Sequence, residues 1–152
     1  MFTKEEKKAI REEFWNKFKT YSNRKKLKIN KPGKWIMNDT GIRQLKLKFH
    51  FDTEKAFAGF EIETRNIDKR IELFDKLEKL KSVIEKSFPF EVKWILEEPV
   101  AETKTVSRVI SVMHNVSVYN RECWPEVFSF LYETMLPTED IFLEYKDFLK
   151  YS

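Results

Sequence analysis

The chain has 152 residues, 41% hydrophobic, 36% charged and 15% aromatic, with one cysteine, three glycines and a formal net charge of +4. That is one domain's length, able to bury roughly 68–70% of its unfolded surface without staples. A lone Cys123 excludes an internal disulfide framework, and no apolar run approaches the 18 or so residues of a membrane span. The N-terminus, Met-Phe-Thr-Lys-Glu-Glu-Lys-Lys, lacks the apolar stretch of a signal peptide. The expectation is a soluble, cytoplasmic single domain over residues 1–152, with no membrane contact.

Thr3-Lys4-Glu5-Glu6 has the form of a capping box, and Ile10, Phe14, Phe18 and Tyr21 follow at helical spacing with Trp15 beside them. This predicts a helix over about residues 4–20. Residues 22–34 read as a loop containing the turn signal Pro32-Gly33, followed by a short strand through Trp35, Ile36 and Met37. Leu45, Leu47, Phe49 and Phe51 then alternate with Lys46, Lys48 and His50, the pattern of a sheet with one buried and one wet face. After Asp52-Thr53-Glu54-Lys55, the alternation of Ala56, Ala58, Phe60 and Ile62 predicts an antiparallel partner.

Ile67, Ile71, Phe74, Leu77, Leu80, Ile84 and Phe88 switch to helical period, giving a helix over 67–87 that Pro89 stops. Phe90, Val92, Trp94 and Leu96 predict a strand that Pro99 ends. Residues 104–119 are rich in β-branched residues, as a strand or bent strand pair should be. Pro125 suits a helix's first turn, Pro137 should break or kink that helix, and Thr138 can cap a final one. The expected fold is α+β: a mostly antiparallel sheet of about five strands covered by helices, in the order helix, three strands, helix, two strands, helix or helices.

The charge is uneven. Residues 1–34 hold 12 basic and 4 acidic side chains, whereas residues 121–152 hold three basic and seven acidic. One reading is a polyanion-binding patch: Arg24, Lys25, Lys26, Lys28, Lys31 and Lys34, continued by Lys46 and Lys48 on the wet strand face, with Tyr21 and Trp35 to stack bases. The other readings are a solvated loop, or pairing of the basic half with the acidic C-terminus, within the chain or across a dimer. Arg108 falls in phase with Val106, Ile110 and Val112, so it should be half-buried and needs a carboxylate or carbonyl partners.

Most site chemistry has no sequence support. Gly33, Gly41 and Gly59 cannot build a phosphate-binding or dinucleotide loop. His50, His114 and Cys123 cannot make a standard structural zinc site, and neither metal nor cofactor is expected. Cys123 stands at a helix start, where a thiol can be activated, but a small half-buried residue is the commoner case. A metal-dependent nuclease needs an acid on one strand and an acid-x-Lys on the next. Asp52 with Glu61 or Glu63 occupies roughly that place, but position 65 is Arg, and Glu91-Val92-Lys93 lies after the second helix.

Several segments together resemble a known family. They are Ile71-Glu72-Leu73-Phe74-Asp75-Lys76-Leu77, Lys81-Ser82-Val83-Ile84-Glu85-Lys86, Val92-Lys93-Trp94, Ser107-Arg108-Val109 and Asn120-Arg121-Glu122-Cys123-Trp124-Pro125-Glu126, with Phe14-Trp15 and Thr40-Gly41-Ile42. In order and spacing they resemble the bacterial domain of unknown function 4268, from about residue 3 to residue 150. In longer proteins that domain is sometimes appended to a nuclease-like domain, so the resemblance implies a DNA-related or defence context. It brings no catalytic residues.

These readings lead to a non-enzymatic binding or interaction module. A nucleic-acid-associated domain binding DNA or RNA through residues 17–48 is the alternative, and a degenerate metal-dependent nuclease the second alternative. The expected partner is a nucleic acid, a protein, or a second copy packed through the aromatic-rich C-terminal helices.

Overall fold

The computed structural model describes residues 1–151. The first helix, α1, runs Lys4–Lys28. It starts at the expected capping box: the Thr3 hydroxyl accepts from the Glu6 N–H at 3.1 Å, and the Glu6 carboxylate accepts from the Thr3 N–H at 3.0 Å. Its buried row is Ile10, Phe14, Phe18, Ser22 and Lys26, every fourth position. The last two are polar, so the row continues past the point where hydrophobic periodicity stops. Residues 22–28 are therefore helix rather than the expected loop.

The short strand expected at 35–37 does not form. Met37 has φ of +48°, which breaks an extended backbone, and only its carbonyl meets the sheet, accepting from the Leu47 N–H at 3.0 Å. The sheet therefore has four strands rather than about five. Strands β1 (Leu45–Phe51) and β2 (Lys55–Ile62) pair antiparallel from Leu45↔Ile62 to Phe51↔Ala56. β3 (Lys93–Ala101) and β4 (Lys104–His114) form a second hairpin, and β4 pairs with β2. The strand order is β1-β2-β4-β3, all antiparallel. Pro99 does not end β3. It lies on the sheet edge, where a missing N–H is tolerated, and β3 shifts register on either side of Glu98 and Pro99.

The helix expected at 67–87 is two: α2 (Ile67–Lys79) and α3 (Lys81–Ser87), which part at Leu80. Pro137 does not divide the last helix either. After a 3₁₀ turn at Arg121–Cys123, α4 runs unbroken from Trp124 to Tyr151. Only one backbone donor is lost at Pro137, and buried Val127, Leu131, Met135, Thr138 and Phe142 keep both halves seated. The element order is thus helix, two strands, two helices, two strands, helix.

The helices share one side of the sheet. Leu45, Leu47, Ala56, Ala58, Phe60, Ile62 and Val109 point toward them and join Phe14, Phe18, Trp124, Leu131 and Phe142 in one core. The opposite side carries Lys46, Lys48, Glu61, Arg108 and Ile110, and among the described residues no helix covers it. Gly59 lies in that second phase with φ of +147°.

Candidate functional site

The basic residues singled out in the sequence do not form one patch. Lys26 is fully buried. Its Nζ donates to Glu139 Oε1 at 3.3 Å and to the Lys34 carbonyl at 3.4 Å, and lies 3.5 Å from the Trp35 ring centroid. Burial lowers its pKa from the ordinary lysine value, and Glu139 opposes that shift. The other oxygen of Glu139 accepts from the Ile36 N–H at 2.9 Å. Lys31 pairs with Asp140. These two pairs join the basic N-terminal region to the acidic C-terminal helix. Lys25 lies 5.3 and 5.4 Å from the rings of Tyr21 and Tyr132. Arg24, Lys28 and Lys34 are exposed.

Lys46 and Lys48 belong to the far side of the sheet, where their charge is used internally. Lys46 meets Glu63 at 2.9 Å and Glu61 at 3.2 Å, and Lys48 meets Glu61 at 3.4 Å. Arg108, expected half-buried, is buried, with Nε on Glu61 at 2.9 Å and its guanidinium 4.6 Å from the Phe57 ring centroid. Burial raises the pKa of Glu61, but the Arg108 bond and the Lys48 and Lys46 charges outweigh it, so the net direction is down.

What the helical side does build is a groove between α1 and residues 33–37, of about 560 Å³. Trp15, Phe18, Trp35, Met37 and Phe49 form its walls and floor, and Lys19, Asn23 and Lys34 stand along it. The Trp35 Nε1–H donates to the Ser22 hydroxyl at 3.4 Å, and its ring meets Phe49 edge-on at 5.7 Å. Trp15 meets Phe14 edge-on at 4.9 Å and Phe18 at 6.0 Å. The groove continues along α1 past Trp15 into a depression lined by Lys8, Arg11, Glu12 and Asn16. Of these residues the sequence marked Trp35 and Lys34. Trp15 and Lys19 were missed, although their four-residue spacing on one helix was the available signal.

The carboxylates considered for metal chemistry lie apart. Asp52 closes the β1–β2 turn, its Oδ1 accepting from the N–H groups of Glu54 and Lys55 at 2.7 and 2.9 Å, its Oδ2 2.7 Å from His50 Nε2. Glu61 and Glu63 stand at the other end of that hairpin, about 20 Å and about 26 Å away at strand rise. Among the described residues no group of three or more His, Cys, Asp or Glu is placed to hold a metal ion. The Cys123 thiol lies 3.1 and 3.3 Å from the carbonyls of Asn120 and Ser117.

The model of one family, described as a domain of unknown function (DUF4268), matches residues 10–146. The chain belongs to the DUF4268 family. No curated protein and no solved structure gives a significant match. The matched span of this DUF4268 domain includes Trp15, Lys19, Lys34 and Trp35, so both walls of the groove lie within it.

Proposed function

We propose that this DUF4268 chain is a non-enzymatic binding module that takes single-stranded nucleic acid in the groove between α1 and residues 33–37. The observation that carries this reading is the pairing of two indole rings, Trp15 and Trp35, with two lysines, Lys19 and Lys34, along one groove. Base faces stack on aromatic rings for about 1–3 kcal/mol each, whatever the sequence, and ammonium groups meet the phosphates. Lys19 and Lys34 make no ion pair among the described residues, unlike Lys26, Lys31, Lys46 and Lys48. Arg24 and Lys28 extend the positive charge past the groove's end. The nuclease reading has no comparable support, since its three carboxylates are divided between the two ends of a hairpin.

The test is fluorescence anisotropy with labelled single- and double-stranded DNA and RNA, at low and near-physiological salt. Wild type is compared with Lys19→Glu/Lys34→Glu, because Lys26 is buried and unsuited to a charge reversal. The expected result is salt-sensitive binding, favouring single strands and weakened at least about tenfold in the variant. Absence of binding at low salt, or binding indifferent to the variant, overturns the reading and turns the search to protein partners.

A further inference from the structure

Arg70 is the buried charge that the fold leaves without a counter-charge. It sits in the first turns of α2 at 4% exposure. Its Nη1 donates to the Ser107 hydroxyl at 2.8 Å and to the Leu96 carbonyl. Leu96 lies where β3 shifts register between Ile95 and Glu98, so its carbonyl is released from the ladder and accepts from Arg70 Nη1 and from the Ser107 hydroxyl instead. That accounts for one nitrogen of the guanidinium. Among the described residues, Nε and Nη2 have no hydrogen-bond partner and no carboxylate lies within ion-pair distance, and neither nitrogen is a fully buried atom, so both are open to solvent. A buried arginine is ordinarily matched by an anion, because its charge is costly to desolvate alone. Buried Arg108 has Glu61, and buried Lys26 has Glu139; Arg70 has neither equivalent.

Arg70 lines a depression of about 450 Å³ between the start of α2 and the far end of the β3–β4 hairpin. Arg65 and the hydroxyl-bearing Thr64, Thr103 and Thr105 also line it, with Glu97 as the single carboxylate. Two guanidinium groups and three hydroxyls around one space make a donor-rich surface. The planar fork of an arginine suits two oxygens of one tetrahedral anion, and hydroxyls can take the third.

We infer that this depression is a phosphate-binding site, with Arg70 as the inner ligand and Arg65 as the outer one. It is separate from the aromatic groove and does not rest on the nucleic-acid reading. Its volume exceeds what a bare phosphate needs, so the phosphate can be free or the terminal group of a small phosphomonoester. Glu97 faces the same space and repels the anion.

The experiment is titration of the whole chain, followed by backbone amide chemical shifts, with inorganic phosphate, ribose 5-phosphate and acetate at constant ionic strength. Saturable shifts at Thr64–Arg70 and Thr103–Thr105 with phosphate, and not with acetate, are expected. A tighter ribose 5-phosphate curve assigns an ester, and equal curves assign free phosphate. Arg65→Ala, which is exposed and leaves Arg70 in place, should weaken binding about tenfold. Glu97→Gln should tighten it several-fold. The inference fails if no saturable shifts appear there, if Arg65→Ala leaves the curve unchanged, or if Glu97→Gln destabilises the fold without tightening phosphate. That last outcome would make Glu97 the counter-ion of Arg70 in solution.

Discussion

The ammonium of Lys26 and the ring of Trp35 lie 3.5 Å apart, and the lysine side chain has no exposed surface. The ring, Glu139 and the Lys34 carbonyl together replace the water that the ammonium loses. Through this corner α1, α4 and the groove wall are tied to one another. Lys26→Met leaves Glu139 buried with only the Ile36 N–H, and should cost about 3–5 kcal/mol. Lys26→Met/Glu139→Met removes both charges and should cost about 2 kcal/mol less than the sum of the single changes. Urea denaturation of the four proteins in the cycle measures this. Additive costs would show that the pair is not coupled.

On the other side of the sheet the charges predict an acid response. Glu63 accepts bonds from Lys46 and Lys104, each at 2.9 Å, and they lower its pKa from 4.5 to about 2. Glu61 is also shifted downward. A carboxylate with a depressed folded-state pKa takes up protons first in the unfolded chain. Its contribution is therefore complete above about pH 4.5 and is lost as the pH falls toward 2. Glu63→Gln should flatten the fall in urea midpoint over that window and change nothing in its slope between pH 6 and 8. An unchanged acid limb would mean that the two lysine bonds do not persist in solution.

The legible parts of the fold were those where local pattern and burial agree. The alternation in Leu45–Phe51 and Ala56–Ile62 marked β1 and β2 because the helix-covered side of both strands is apolar. The end of α1 was not legible, because Ser22 and Lys26 occupy core positions, and the carboxylate that pairs with Lys26 is the distant Glu139. Trp35-Ile36-Met37 looked like a strand because it is apolar; all three pack against the core, and Trp35 and Met37 also wall the groove. Among the site residues, Arg108 announced its need of a partner by its phase. Lys26, Lys31, Lys46 and Lys48 looked like free cations, yet the partners of the first two come from α4, more than 100 positions away. Arg70 stands four and seven positions before buried Phe74 and Leu77, so its burial could be read from helical spacing; that no carboxylate reaches it could not, because that depends on how α2 meets the β3–β4 hairpin.

Gly59 gives a sharper prediction than its neighbours on β2. A Cβ there would lie 2.3 Å from the Val109 carbonyl oxygen and 2.9 Å from Ile110 Cα, both backbone atoms that cannot step aside. Its φ of +147° adds strain for any other residue. Gly59→Ala should therefore destabilise by about 2–4 kcal/mol, as overpacking plus strain. A shift in urea midpoint equivalent to less than about 1 kcal/mol would show that β2 and β4 can separate locally.

Thr134 should behave in the opposite sense. Its carbonyl accepts from the Thr138 hydroxyl at 2.7 Å, but its own buried hydroxyl has no hydrogen-bond partner among the described residues. A desolvated, unpaired hydroxyl costs about 1–3 kcal/mol. Thr134→Val keeps the shape and removes that group, so thermal unfolding should show a gain of about 1 kcal/mol. A loss of that size would mean that the hydroxyl is bonded, through a buried water or a change of rotamer.

The groove also predicts which lysines set the salt dependence of binding. For single strands, the logarithm of affinity falls with the logarithm of salt by about 0.7 for each phosphate neutralised. Removing Lys19 and Lys34 should lower that slope by about 1.4, because both stand along the groove and neither has an internal carboxylate. Lys46→Gln/Lys48→Gln removes as much charge from the chain, but from the far side of the sheet, where the lysines offset Glu61 and Glu63. That variant should keep the slope and lose stability instead. Measuring both variants over a salt series separates a located site from a general attraction to positive charge. Equal slopes in the two variants would mean that the groove does not bind the strand and that net charge alone attracts it.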